Sequence, residues 1–380
     1  LNLRSEGVHM ADERLAKLAR VLVQYSTRVQ PGDRVGIHGY PLTAAAEPLL
    51  VELAHQILAA GGYPHFLFQT EALRSLLIRE GSEDQLRYVN PFFRMIAEQF
   101  DVDMRISSSA NTRELSRLDP ARLNRVREGQ KEVTDTWFQR TASGQLRWVA
   151  TRYPTDAYAQ DAEMSLTEFE HFFFASCFAD LEDPVAEWSR LAAAQTRIAE
   201  QLDRVSDIHL RGPDIDLQLR VAGRKFIPCS GETNMPDGEI FTGPVENSAH
   251  GWVRFSYPCI YTSVEVDGVE LRFENGRVVE ASATKNDAYL QATLEADAGA
   301  RYLGELGLGT NENIQRFTRT MLFDEKMAGT IHLALGGGYP ETGSTNRSAI
   351  HWDMLVNMRE ESEILADGEP IYRDGQFLFE

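Results

Sequence analysis

Between Ala11 and Tyr25 the apolar residues Leu15, Leu18, Ala19, Leu22 and Val23 recur at helical spacing, which predicts a first helix. Pro31-Gly32-Asp33 turns the chain into a short apolar strand, Arg34–His38. A second helical pattern, Thr43–Ala60, stops at Gly61-Gly62, where a positive φ is cheap. Tyr63–Gln69 then reads as a strand, Glu71–Arg79 and Pro91–Phe100 as helices, and Val102–Ser107 as a third strand. Strands alternating with helices imply a parallel sheet with helices on its faces, so the first half is an α/β domain. From Asp119 to Glu200 the pattern is mostly helical, with one strand at Leu146–Thr151 and a long helix at Pro184–Val205.

After Ser206 the character changes to short β-branched segments: His209–Leu210, Asp216–Val221, Trp252–Phe255, Val264–Val266, Val269–Phe273 and Val278–Ala283. Asp267-Gly268 and Asn275-Gly276 are hairpin signals, and Ala288–Leu303 has the pattern of a helix. This half is mainly antiparallel, α+β in class. The division falls near residue 184, giving an N-terminal α/β domain over residues 1–183 and a C-terminal α+β domain over residues 184–380.

Composition narrows the function classes. Lys and Arg number 38 against 57 for Asp and Glu, a net charge of −19, which argues against nucleic acid or an anionic membrane as the main partner. The longest apolar stretches, such as Phe172–Ala179, are far shorter than the ~20 residues that span a bilayer. Three scattered cysteines (Cys177, Cys229, Cys259) are expected to be reduced thiols of a cytoplasmic protein, two of them small core side chains. The opening Leu1–His9 is read as a tag remnant ahead of Met10 and left out of the fold.

Several common catalytic signatures are missing: no glycine run is followed by Gly-Lys-Ser/Thr, no Gly-x-Ser-x-Gly elbow occurs, and no His-Glu-x-x-His helix is present. Gly307-Leu308-Gly309 lacks the third glycine of a dinucleotide loop. What remains is a set of metal-ligating residue types in the second half. In a strand, His351 and Asp353 of His351-Trp352-Asp353 share one face while Trp352 packs on the other. Such an imidazole and carboxylate suit a borderline divalent metal, or equally form a hydrogen-bonded pair on a solvated strand. His332 sits in an apolar strand, Gly329–Leu335, that ends in three glycines, and is either a satisfied core histidine or a ligand. Tyr339 beyond those glycines is a rim aromatic or an oxyanion donor. Glu239 lies in a turn ahead of Ile240-Phe241, Glu305 among glycines and leucines, and Glu325 shortly before His332; each is a surface loop carboxylate or part of a site. Taken together, three glutamates, one aspartate and two histidines hold four negative charges, which two divalent cations would neutralise.

The segments Asn234-Met235-Pro236-Asp237-Gly238-Glu239-Ile240-Phe241-Thr242-Gly243-Pro244, Gly304-Glu305-Leu306-Gly307-Leu308-Gly309, Thr330-Ile331-His332-Leu333-Ala334-Leu335-Gly336 and Ser348-Ala349-Ile350-His351-Trp352-Asp353 occur in that order. In this they resemble the thermophilic metalloaminopeptidase family, the aminopeptidase T and aminopeptidase S group. The resemblance is dense over the second half, and the first half agrees in its α/β character. It implies metal ligands at Glu239, Glu305, His332, His351 and Asp353, with Glu325 as a further ligand or a general base and Tyr339 as the active-site tyrosine. It further implies a homodimer, two divalent ions per chain (zinc, cobalt, manganese or magnesium) and peptide substrates with a free N-terminus. The stretch from Tyr339 to His351 is short beside some members of the family. A different class stays open: His332, His351 and Asp353 alone form the two-histidine, one-carboxylate set of mononuclear iron(II) oxygenases, and ring-cleaving dihydroxypyridine dioxygenases resemble the same scaffold distantly. Glu239 and Glu305 discriminate, because only a two-metal hydrolase needs their charge.

Overall fold

A computed structural model of the chain describes residues 12–115, 118–262 and 264–378; Leu1–His9 lies outside them. Packing divides the chain into two compact units, residues 1–187 with 231–236, and residues 188–230 with 237–380.

The first unit opens with α1 (Glu13–Arg20), capped by the Asp12 side chain on the Arg14 N–H. The helical pattern continues to Ser26, but Val21–Ser26 winds wider, as a π turn. There follow β1 (Arg34–His38), α2 (Glu47–Ala59), β2 (Tyr63–Leu67), α3 (Glu71–Glu80), α4 (Glu83–Arg87), α5 (Pro91–Gln99), β3 (Val102–Ser107), α6 (Pro120–Ala142), β4 (Arg147–Arg152), α7 (Asp156–Asp161) and α8 (Leu166–Ser176). The strands form a parallel sheet in the order β2-β1-β3-β4, and Asn234–Met235 adds a fifth parallel strand beside β4. Val35 and Ile37 of β1 are fully buried, as are Val102 and Met104 of β3, as expected for a sheet covered on both faces. The opposite face of the same strands carries His38 and Asp103, both buried.

The second unit begins within α9 (Pro184–Leu202) and continues through β5 (Asp207–Gly212), β6 (Ile215–Arg220) and β7 (Ile227–Cys229). After the excursion β8 (Asn234–Met235) come β9 (Glu239–Thr242), β10 (His250–Arg254), β11 (Cys259–Tyr261), β12 (Val264–Val266), β13 (Glu270–Glu274), β14 (Arg277–Ser282), α10 (Asp287–Leu294), β15 (Leu303–Gly309), α11 (Met321–Asp324), β16 (Thr330–Gly336), β17 (His351–Asn357), β18 (Glu363–Ala366), β19 (Glu369–Arg373) and β20 (Gln376–Phe377). An eight-stranded sheet runs β14-β13-β10-β6-β5-β18-β19-β20, a five-stranded one β17-β16-β15-β9-β7, and β11 pairs with β12. All of these pairings are antiparallel. A single apolar cluster joins the two large sheets, with Leu217 and Val253 from one and Leu306, Leu333, Trp352 and Met354 from the other.

Two local expectations need correction. The helix expected over Ala288–Leu303 stops at Leu294, and Leu303 already opens β15, because Leu303, Leu306 and Leu308 are claimed by the sheet core. Asp267-Gly268 closes no hairpin: β12 pairs with β11, so this turn leads from one sheet to another. Asn275-Gly276 does join β13 to β14, with φ of 48° and 81° suited to a two-residue hairpin turn.

Candidate metal centre

The five-stranded sheet explains why the metal-ligating residues meet. Leu306 and Leu308 on β15, Ile331, Leu333 and Leu335 on β16, and Trp352, Met354 and Val356 on β17 all face the apolar cluster. Alternation therefore sends Glu305, His332, His351 and Asp353 to the other face, joined by Glu239 at the start of β9, where Ile240 takes the core position. Trp352 packs on the core side as its neighbours require, stacked on Tyr261 at 5.4 Å. Registry completes the assembly: Gly307 stands between Phe241 and His332, and Ala334 stands opposite Asp353. A Cβ on Gly307 would lie 2.0 Å from the His332 ring, so glycine leaves the space that the imidazole fills.

Two clusters share one carboxylate. Glu239, Glu305 and His332 form the first, and Glu305, His351 and Asp353 the second, the ligating atoms of each lying within 4.8 Å of one another. His332 Nε2 is 3.2 Å from Glu239 Oε2 and 3.2 Å from Glu305 Oε1. His351 Nε2 is 3.3 Å from Glu305 Oε2 and 3.3 Å from Asp353 Oδ1. Each oxygen of Glu305 thus faces a different imidazole. His351 Nδ1 donates to the Gly337 carbonyl at 2.8 Å, which fixes the tautomer and aims Nε2 at the carboxylates. Glu239 Oε2 and Asp353 Oδ1 are buried and accept no hydrogen bond. Orphaned buried oxygens beside imidazole nitrogens are what a divalent ion would satisfy, so these residues fit one.

The charges respond to this crowding. Burial alone would raise the carboxyl pKa values of Glu239 and Glu305, but Lys326 and His332 around Glu239, and the two imidazoles around Glu305, hold both below the ordinary range. Burial would likewise depress the imidazoles, yet the carboxylates push His332 upward and His351 up to about 12. Glu325 behaves otherwise: burial pushes it up to about 8, with Lys326 opposing the rise and the charges of Glu239 and Asp353 adding to it.

Sequence reasoning missed three neighbours. Lys326 is fully buried, its Nζ 2.5 Å from Glu239 Oε1, bonded to Glu325 and 3.8 Å from Asp237 Oδ1. Asp237 and Cys229 make a third cluster with Glu239. Asp237 lies ahead of β9 and is separated from Glu239 by Gly238 at a φ of 127°, so strand alternation does not find it, and nothing local to Glu325-Lys326-Met327 marks the lysine as buried. Lys326 thus meets three carboxyl groups, those of Asp237, Glu239 and Glu325, and the five carboxyl groups of the site outnumber this one lysine. Glu325 touches Lys326 and belongs to none of the three clusters. Tyr339 lies where its ring is 5.3 Å from His351 and 5.2 Å from Phe241, while 41 % of its surface stays exposed. Burial of the ring beside Glu305 and Asp353 raises the phenol pKa, which keeps it a protonated donor.

Residues 11–377 match the family of thermophilic metalloproteases, M29, and the chain belongs to that family. Divalent metal use and action on peptides come with membership. Aminopeptidase 2 of Geobacillus stearothermophilus is 26 % identical over 419 residues, which cover 97 % of this chain and 98 % of that protein. The structure of wild-type AmpT from Thermus thermophilus matches with a TM-score of 0.84 at 23 % identity, over 96 % of this chain and 99 % of that one. The fold likeness extends to 2,5-dihydroxypyridine dioxygenase from Pseudomonas putida, with a TM-score of 0.57 at 13 % identity and 97 % of each chain covered. Together the family and its relatives support a metalloaminopeptidase, and the dioxygenase likeness is one of fold alone.

Proposed function

We propose that this chain is a two-metal aminopeptidase that releases the first residue of peptides with a free α-amine. The observation that carries the reading is Glu305, whose two oxygens belong to two different ligand clusters. Glu239, Glu305 and His332 would hold one divalent ion, and Glu305, His351 and Asp353 the other, with zinc, cobalt, manganese and magnesium all compatible with these oxygen and nitrogen donors. Bound there, the ions would polarise the scissile carbonyl, draw the pKa of an attacking water toward neutrality and hold the α-amine.

Within this reading the protein's own groups do the rest. Glu325, outside the clusters and fixed by Lys326, takes the proton of the attacking water as general base rather than serving as a ligand. Tyr339, protonated, donates to the oxyanion of the tetrahedral intermediate. Lys326 fixes Glu239 from behind while Gln195 Nε2 holds that residue's carbonyl at 3.0 Å. A mononuclear iron site would need His332, His351 and Asp353 as one set, whereas His332 groups instead with Glu239 and Glu305.

The reading extends to a homodimer in the cytoplasm. Beside edge strand β2 the exposed Phe68, Leu73, Leu76 and Leu77 line one recess, an apolar patch of the kind a second copy would cover. No disulfide joins the three cysteines, Cys177 and Cys259 being buried, which suits a reducing compartment. No helix among the described residues is long and apolar enough to cross a membrane.

The test pairs elemental analysis with hydrolysis of leucine p-nitroanilide and its N-acetyl derivative. About two zinc, cobalt or manganese ions per chain, chelator-sensitive hydrolysis and no action on the blocked substrate are expected. A single iron with no hydrolysis would overturn the proposal.

A further inference from the structure

The first unit contains a second constellation that the metal centre does not use. Asp103 on β3 is completely buried and accepts three bonds: from His38 Nε2 at 2.7 Å, from Trp137 Nε1 at 2.8 Å and from Arg105 Nε at 3.0 Å. Burial would raise its pKa, but the imidazole and the guanidinium hold it down to about 2, so it is a carboxylate at neutral pH. A carboxylate at Nε2 places a proton on that nitrogen, and in the neutral imidazole Nδ1 is then the acceptor. His38 is only 5 % exposed, and Nδ1 has no hydrogen-bond partner. A buried pair oriented this carefully, with one nitrogen left unsatisfied, costs stability that an apolar pair would not.

His38 also lines a recess of about 210 Å³. Its floor is the face of β1 and β3 that bears His38, Asp103 and Arg105, with His38 and Arg105 in register. Its walls come from α5, through Phe93, Ile96 and Ala97, and from α6, through Gln130, Val133, Thr134 and Trp137 at the spacing of one helix face. The rings are arranged around the imidazole: Phe93 at 5.3 Å and Tyr40 at 6.0 Å, both edge-on, with Arg105 stacked 4.0 Å over Trp137. An apolar cavity of about 150 Å³ suffices for benzene, so this one accommodates a substituted ring or an indole.

We propose that this recess is a binding site for a flat aromatic group bearing one O–H or N–H donor, a phenol or an indole, whose donor bonds to His38 Nδ1 while its ring packs between Tyr40, Phe93 and Trp137. The ligand is either a free small molecule or the aromatic side chain of a peptide, and it shares no residue with the metal centre.

Calorimetric titration of the full chain with p-cresol and with p-xylene, the same ring without a donor, separates this from simple apolar filling. The hydrogen bond to a desolvated acceptor is expected to make p-cresol bind about tenfold more tightly. Thr134→Trp, at an exposed position on α6, should fill the recess and abolish that binding without shifting the urea midpoint. His38→Leu should bring p-cresol down to the affinity of p-xylene. N-acetyltyrosinamide identifies the source: competition at equal or better affinity supports a peptide side chain, and exclusion supports a free molecule. Equal affinity for cresol and xylene, cresol binding unchanged in Thr134→Trp, or no binding of either would overturn the proposal.

Discussion

Replacing Glu305 by glutamine tests the shared carboxylate with little change of shape. The side chain is 4 % exposed, and its two oxygens lie 3.2 Å from His332 Nε2 and 3.3 Å from His351 Nε2. A hydrogen bond to a charged group is worth roughly 1.5–3 kcal/mol. The amide keeps one acceptor and turns a donor toward the other imidazolium, so one contact is lost and the other keeps only the charge of the imidazolium. The metal-free chain should therefore lose about 2–4 kcal/mol, read from urea unfolding under chelator. The more telling readout is stoichiometry after dialysis against buffered zinc. Because both clusters contain Glu305, Glu305→Gln should lose both ions in one step. Asp353→Asn touches only the second cluster and should keep the ion held by Glu239, Glu305 and His332. If Glu305→Gln held its ions with unchanged affinity, or shed only one of them, the carboxylate would not be shared and the reasoning would fail.

Three further outcomes follow from the same geometry. Gly307→Ala places a Cβ 2.0 Å from the His332 ring, so zinc affinity should fall by about tenfold or more in a competition titration; unchanged affinity would show that the imidazole has room to move. Tyr339→Phe should retain its metal and lose about 10²–10³ in kcat, equivalent to one oxyanion donor, and undiminished turnover would remove the phenol from the mechanism. In the metal-free chain the carboxylates raise His332, and take His351 to about 12, so both imidazoles are charged at neutral pH, and that ion pairing, whole below the ordinary histidine pKa, fades as pH climbs through the raised values. Ligation needs neutral imidazoles, so each ion should displace about one proton and apparent affinity should rise about tenfold per pH unit near neutrality. Calorimetry in buffers of different ionisation enthalpy counts those protons, and a count of zero would contradict the assigned ligands.

The sequence by itself determined the alternation of strand and helix in the first half, the antiparallel character of the second, and the face on which His351 and Asp353 stand, because these depend on periods of a few residues. It also supplied the residue types of the clusters: Glu239, Glu305, His332, His351 and Asp353 were recognisable from their motifs. The register was beyond it. That Gly307 falls opposite His332, that the helix after Ala288 ends at Leu294 so that Leu303 can join the sheet, and that Asp267-Gly268 leads between sheets are all settled by which strands pair. Burial was beyond it as well. Lys326 and Asp103 are charged residues in unremarkable local sequence, and only long-range packing takes them out of water. A charge becomes informative once its neighbours are known: Glu239, 87 positions before Lys326, and His38, 65 positions before Asp103, are brought within bonding distance by the sheets and by no local pattern.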